Sequence, residues 1–87
     1  MRLDSNDATA RLWLGVTLYW QARYRGAEEA YREAIRLDPT SATAYTFLTD
    51  ALFKQNRREE AIVTAKKAIE LGYDKNHPTF KELGVTP

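Results

Sequence analysis

The stretch that decides the fold is AEEAYREAIRLDP, residues 27–39. Its small and apolar residues recur three and four positions apart, which predicts a single apolar stripe on a helix. Asp38-Pro39 ends this helix, because proline cannot continue it. The same skeleton returns once, 34 residues later, as Ala61, Ala65, Ala68, Ile69 and Leu71. A period near 34 residues in an all-helical pattern indicates stacked helix pairs.

Composition describes one small domain of 87 residues, with 44% hydrophobic and 29% charged residues. The formal net charge of +1 gives no support for a nucleic-acid or membrane-surface role, which would need a strongly basic face. With no cysteine, the chain can form no disulfide and no thiolate metal site. The first residues are polar, and no apolar run approaches the roughly 20 residues that span a bilayer. We therefore expect no membrane contact and a cytoplasmic location.

Five helices are predicted, and no segment alternates with the period of two that is typical of strands. Their expected ranges are 8–23, 26–37, 41–55, 58–71 and 78–83. Asp7 or Asn6 can cap the first helix and Ser41 the third, because their side-chain oxygens can accept from free backbone N–H groups. Asn56 can take the left-handed conformation that ends the third helix. The fold class is therefore all-α.

Residues 8–41 align without gaps on residues 42–75. Most identities are small or apolar residues at helix-contact spacings. They are Ala8/Ala42, Thr9/Thr43, Ala10/Ala44, Leu14/Leu48, Gln21/Gln55, Arg23/Arg57, Ala27/Ala61, Ala34/Ala68, Ile35/Ile69 and Leu37/Leu71. Alanines let two helix backbones approach closely, and the leucines and isoleucines fill the space between layers.

These positions resemble the tetratricopeptide repeat family, whose pattern is W-x2-L-G-x2-Y, then A-x3-F, A and P. The first repeat supplies Leu14, Gly15, Ala27, Tyr31, Ala34 and Pro39, and the second supplies Tyr45, Leu48, Ala61 and Ala68. The departures are Arg11 in the tryptophan place, Leu18 and Leu52 for tyrosine, Thr49 for glycine, Ala65 for the aromatic residue and Tyr73 for proline.

The resemblance implies one domain over residues 1–87, a right-handed α-α superhelix of two tetratricopeptide-like helix hairpins plus a short C-terminal capping helix. Repeat one would cover 8–41, repeat two 42–75, and the capping helix about 77–84. Residues 2–4, Arg-Leu-Asp, lie 34 positions before the same triplet at 36–38, so they resemble the tail of a preceding repeat. A piece of a longer array and a complete small protein both remain open.

In this family the first helix of each repeat lines a groove that receives a peptide or a partner helix. Carried over to this chain, the groove residues are Thr9, Leu12, Trp13, Val16, Tyr19, Trp20, Thr43, Thr46, Phe47, Asp50, Phe53 and Lys54. The function implied is a protein–protein interaction module. The alternative is a structural element of a longer repeat array or a self-associating dimer, in which packing would cover these aromatic residues. Leu12, Val16 and Phe47 argue against the family's chaperone-tail clamp, which uses lysine and asparagine there.

Catalysis is not expected. His77 is the only histidine, and the adjacent pairs Glu28-Glu29 and Glu59-Glu60 point about 100° apart on a helix, so neither pair can converge on a substrate. No phosphate-binding glycine loop or clustered metal-ligand set is visible, so no cofactor and no metal are predicted. The basic pairs at 57–58 and 66–67 are interleaved with glutamates, which favours a solvated helix face over a nucleic-acid site.

Overall fold

The structure, a computed structural model, describes residues 7–85, which fold into helices alone. The helices are α1 (Ala8–Trp20), α2 (Tyr24–Leu37), α3 (Ala42–Lys54), α4 (Arg58–Glu70) and α5 (Pro78–Leu83). Each of the first four packs against its neighbours along the chain, and α5 lies against α4 and α3. The overall extents are 41 × 26 × 17 Å, so the hairpins form an elongated stack. Over this part of the chain, the predicted all-α fold of packed helical hairpins is confirmed.

Side-chain caps start the first helix of each hairpin. The backbone N–H of Thr9 donates to Asp7 Oδ1 at 2.9 Å, and that of Ala44 donates to Ser41 Oγ at 3.1 Å. Both caps satisfy N–H groups that have no partner within the helix. The caps predicted at Asp7 and Ser41 are confirmed, whereas Asn6 and the triplet at 2–4 lie outside the described residues.

The turn inside the first hairpin lies earlier in the chain than the sequence analysis expected. Helix α1 ends at Trp20 rather than at residue 23, and α2 begins at Tyr24 rather than at residue 26. Ala22 has a φ of 60°, and the N–H of Arg23 bonds back to the carbonyl of Leu18 at 2.9 Å. The second hairpin uses the same turn, with Asn56 at a φ of 61° as predicted. In each hairpin, a residue in the left-handed conformation therefore ends the first helix: Ala22 in repeat one and Asn56 in repeat two.

Alanines form the centre of the stack. Ala27 on α2 and Ala61, Ala65 and Ala68 on α4 are fully buried, as predicted for the second helix of each hairpin. Their short side chains let neighbouring helices approach closely, and larger side chains such as Leu52 fill the remaining space. Helix α2 therefore packs closely against both α1 and α3, and α4 packs against α3 and α5.

One close contact joins the first two helices. A Cβ atom at Gly15 would lie 2.3 Å from Cε1 of Tyr31, whose side chain is 2% exposed. The second hairpin carries Thr49 and Ala65 at the equivalent positions. There the larger residue lies on the first helix and the smaller one on the second, the reverse of the first hairpin. There the hydroxyls of Thr49 and Thr64 are 2.7 Å apart and share a buried hydrogen bond. The two departures from the family pattern therefore compensate each other.

A buried carboxylate links the two hairpins. Glu28 on α2 is 7% exposed and accepts hydrogen bonds from Arg32 (3.0 Å), Gln55 (3.1 Å) and Arg57. Arg57 also contacts Glu60 at 2.7 Å on the exposed side of α4, so its guanidinium bridges the buried Glu28 and a solvated glutamate. Burial by itself raises the pKa of Glu28, but the donors from Gln55, Arg32 and Arg57 outweigh burial and lower that pKa.

We predict that Gly15→Ala lowers the free energy of unfolding by about 1–3 kcal/mol, because the added methyl group overlaps the Tyr31 ring. Gly26→Ala is the matched control, since its Cβ would lie 3.3 Å from the flexible end of Leu18 and should cost less. Chemical denaturation followed by circular dichroism measures both. A Gly15→Ala protein as stable as the wild type would contradict the close contact.

We predict that Glu28→Gln weakens the acid dependence of stability. The folded-state pKa of Glu28 lies below its ordinary value of 4.5, so the stability it contributes is fully present above that value. This contribution is lost as the pH falls through the folded-state pKa, because the unfolded chain takes up the proton first. The free energy of unfolding, measured by denaturation at several values between about pH 3 and 6, should therefore fall less steeply with decreasing pH for Glu28→Gln than for the wild type. The control is Glu29→Gln, an exposed neighbour; equal slopes for Glu28→Gln and wild type would refute the assignment.

Candidate functional site

A pocket of about 180 Å³ lies between the first helices of the two hairpins. Its lining residues are Val16, Tyr19 and Trp20 from α1, Tyr31 from α2, and Phe47 and Asp50 from α3. On α1, Tyr19 and Trp20 lie three and four positions after Val16, and on α3, Asp50 lies three positions after Phe47, so each helix turns these side chains toward the same side. We call this space the α1–α3 pocket.

The buried side of the pocket is the ring of Tyr31. Its centroid lies 5.7 Å from that of Phe47, and the missing side chain at Gly15 gives it room beneath α1. The sequence analysis named Tyr31 as a residue of the family pattern and not among the groove residues, but Tyr31 both supports α1 and lines the pocket. The signal for the second role was the pairing of glycine with an aromatic residue in repeat one, where repeat two has Thr49 and Ala65.

The outer side of the pocket is aromatic and open to solvent. The side chain of Trp20 is 80% exposed, and its ring meets that of Tyr19 edge-on, with centroids 6.0 Å apart. Tyr19 also contacts Tyr24 of α2, with centroids 5.3 Å apart. Covering an exposed indole releases a large apolar area from water, which is why tryptophan is enriched at protein interfaces. Trp20 is therefore available to a binding partner.

The one charged side chain in the lining is Asp50. Its Oδ1 lies 3.1 Å and its Oδ2 3.4 Å from Nε2 of His77, which precedes α5. Since a carboxylate only accepts hydrogen bonds, His77 Nε2 carries the hydrogen in this contact. His77 stands at the N-cap of α5, where its side chain makes no capping hydrogen bond. Its contact with Asp50 joins residues 27 positions apart, so no local pattern of the sequence predicts it.

Both tyrosine hydroxyls of the pocket are held in the neutral form. Burial raises the pKa of Tyr31 and of Tyr19, and the negative charge of Asp50 raises both further. The Asp50 charge therefore acts on both rings of the pocket. At neutral pH the lining offers two neutral phenols, an indole and one carboxylate.

The pocket unites five of the predicted groove residues, namely Val16, Tyr19, Trp20, Phe47 and Asp50. Thr9 and Leu12 line a second, smaller cavity of about 50 Å³ near the start of α1. Of the remaining predicted groove residues, Trp13 is 62% exposed, Thr43 and Lys54 are exposed, and Phe53 is half-buried against the core. The structure therefore brings part of the predicted set together, between the C-terminal half of α1 and α3.

The placement of Thr46 in the groove is wrong. Its side chain is fully buried, and its hydroxyl donates to the carbonyl of Ala42 at 2.9 Å. Helix α3 packs against α2, α4 and α5, whereas α1 packs mainly against α2. The equivalent residue in α1, Leu12, is consequently only half-buried.

A second apolar surface remains on α1. Ala10, Leu14 and Thr17 form one stripe, which we call the open α1 face. Leu14 is 44% exposed, while its counterpart Leu48 in α3 is 1% exposed. Helix α2 packs against α3, and no described helix precedes α1 in the chain to cover it in the same way. The repeat therefore shows which α1 residues a preceding helix would bury.

Groups suited to metal binding do not converge within residues 7–85, where no three His, Cys, Asp or Glu side chains come together. Glu28 is occupied by the hairpin network, and its neighbour Glu29 is exposed. In the same part of the chain, none of the helices has the length and apolar character needed to cross a membrane.

Comparison with known proteins agrees with the helix pairs. A family model described as tetratricopeptide repeat matches residues 18–78, from the end of α1 to the start of α5. No curated protein matches the sequence significantly. The match covers more than half of the chain and contains the second hairpin whole. The chain therefore belongs to the tetratricopeptide repeat family, whose members generally serve as protein–protein interaction modules.

Proposed function

We propose that this protein binds a peptide or helix of a partner protein in the α1–α3 pocket. The observation that carries the proposal is the exposed Trp20 beside a preformed, mostly aromatic pocket. Aromatic side chains next to a cavity supply much of the free energy of protein interfaces. Trp13, which is also exposed but lies outside the lining, is assigned a peripheral part in this binding.

The pocket suits a side chain better than a whole small ligand. Its volume of about 180 Å³ is below the roughly 300–1,000 Å³ of small-molecule sites. An anchor residue of a partner segment could enter between Trp20 and Phe47, while the rest of the segment lies along α1 and α3. Tyr31 is buried and held from below, so the pocket needs little reorganisation when it is filled.

We predict that Trp20→Ala weakens binding at least about tenfold, while Trp13→Ala changes it less than about threefold. Peptides selected on the wild-type protein from a random display library are the ligands, and fluorescence anisotropy gives their dissociation constants. Both side chains are exposed, so each variant should keep its free energy of unfolding within about 0.5 kcal/mol. Equal losses for the two tryptophans, a library without binders, or unfolding of Trp20→Ala would contradict the proposal.

A second candidate function is assembly, supported by the open α1 face. The counterpart of this face on α3 is buried, and α2, the helix that precedes α3, is one of the helices packed against it. Another helical repeat, from the same polypeptide or from a second copy, would cover Leu14 in the same way. This candidate uses a different side of α1 from the α1–α3 pocket, so the two functions are separable.

If assembly between copies occurs, the mass measured by light scattering should rise with concentration, and Leu14→Glu should return the protein to a monomer. The charged side chain would be desolvated at the interface without a partner. Val63→Glu is the control, because Val63 is 67% exposed on α4. A monomeric wild type at about 1 mM, or identical behaviour of the two variants, would count against self-association.

A further inference from the structure

We propose that the α1–α3 pocket accepts a lysine side chain of the partner. This inference rests on the proposed function and specifies the anchor residue that the pocket would recognise. Of the six lining side chains, four are aromatic, one is valine and one is the carboxylate Asp50. An apolar enclosure with one negative charge matches a ligand group that has an apolar stem and a cationic end.

Four aromatic rings favour a cation over a neutral polar group. Tyr19, Trp20, Tyr31 and Phe47 come from three different helices, so the enclosure is built by the tertiary fold. A cation near the face of such rings is attracted by their quadrupoles, and this attraction grows when water is excluded. The methylene stem of lysine would lie against Val16 and Phe47, where it would bury apolar surface.

Asp50 supplies the charge that completes the match. Its side chain is 20% exposed, so its field is less screened than that of a surface carboxylate, and burial and this field together raise the pKa of Tyr19 and Tyr31. His77 Nε2 uses one of the several acceptor positions of the carboxylate. The remaining positions can accept from an incoming ammonium group. The same charge disfavours acidic segments, which separates this pocket from a carboxylate-binding one.

Lysine fits this carboxylate better than arginine does. A guanidinium binds a carboxylate best through two parallel hydrogen bonds that occupy both oxygens. In Asp50 both oxygens lie within 3.4 Å of His77 Nε2, so part of the carboxylate is already shared. An ammonium is a compact point charge and needs a single oxygen. His77 therefore leaves the carboxylate of Asp50 better suited to one ammonium than to a bidentate guanidinium.

The experiment uses two probes whose termini are blocked and uncharged, Nα-acetyl-lysine methylamide and its norleucine analogue. The two share the apolar stem and differ in the ammonium group. Each is titrated into the full chain, and nuclear magnetic resonance follows the Trp20 indole and the Tyr31 ring. We expect the lysine probe to bind at least about fivefold more tightly than norleucine, with dissociation constants in the millimolar range typical of such small ligands. The arginine analogue should bind more weakly than lysine.

Asp50→Asn should remove the preference for lysine, because the amide keeps the shape and an acceptor for His77 but loses the charge. Glu70→Gln, an exposed carboxylate on α4 outside the lining, should leave the preference intact. Equal binding of the lysine and norleucine probes to the wild type would overturn the inference. This comparison uses the wild-type protein alone, so it does not depend on the folding of a variant. Arginine binding as tightly as lysine, or a lysine preference that survives Asp50→Asn, would overturn it too.

The selected peptides separate failure of this inference from failure of the proposed function. Replacing their lysines with norleucine should weaken binding to the wild type and have little effect on binding to Asp50→Asn. If binding is lost in Trp20→Ala but unchanged in Asp50→Asn, the lysine anchor is refuted while the peptide pocket stands. If neither variant changes binding, both proposals fail.

Discussion

The packing of the Tyr31 ring against the bare α-carbon of Gly15 is the contact on which the rest of the site depends. A side chain at residue 15 would occupy the space of the ring, since even a Cβ would lie 2.3 Å from it. Because the ring stays beneath α1, it can also meet Phe47 of α3, 5.7 Å away between centroids. The phenol therefore connects three helices. Without it, Val16 and Trp20 would border a cavity with no buried side.

The second hairpin shows that the fold itself does not require this arrangement. There Thr49 and Ala65 replace the glycine and the aromatic residue, and a hydrogen bond between the Thr49 and Thr64 hydroxyls occupies the interface. The tyrosine packed on glycine beneath the pocket is thus a property of repeat one. Asp50, from the other repeat, adds the charge, so the site arises only where the two hairpins meet.

Local features of the sequence predicted most of the fold. Helix-spaced alanines and caps such as Ser41 act within a few residues, so all five helices and both caps were found, and the helix pattern identified the family. The end of α1 was placed three residues too late, because Ala22 gives no sign of a left-handed conformation. Five of the pocket residues are among the groove residues that the family resemblance implies. Periodicity alone does not contain the contacts between distant residues. Such contacts place Tyr31 in the pocket, bring His77 to Asp50 and bury Thr46.

The central claim is that Tyr31 lies between Gly15 and Phe47 and closes the pocket from below. The most direct test is a nuclear Overhauser spectrum of the isotope-labelled protein in solution. The account predicts cross-peaks from the Tyr31 ring protons both to the α-protons of Gly15 and to the ring of Phe47. A Tyr31 ring that shows neither set of cross-peaks would contradict the account, because the pocket would then lack its buried side.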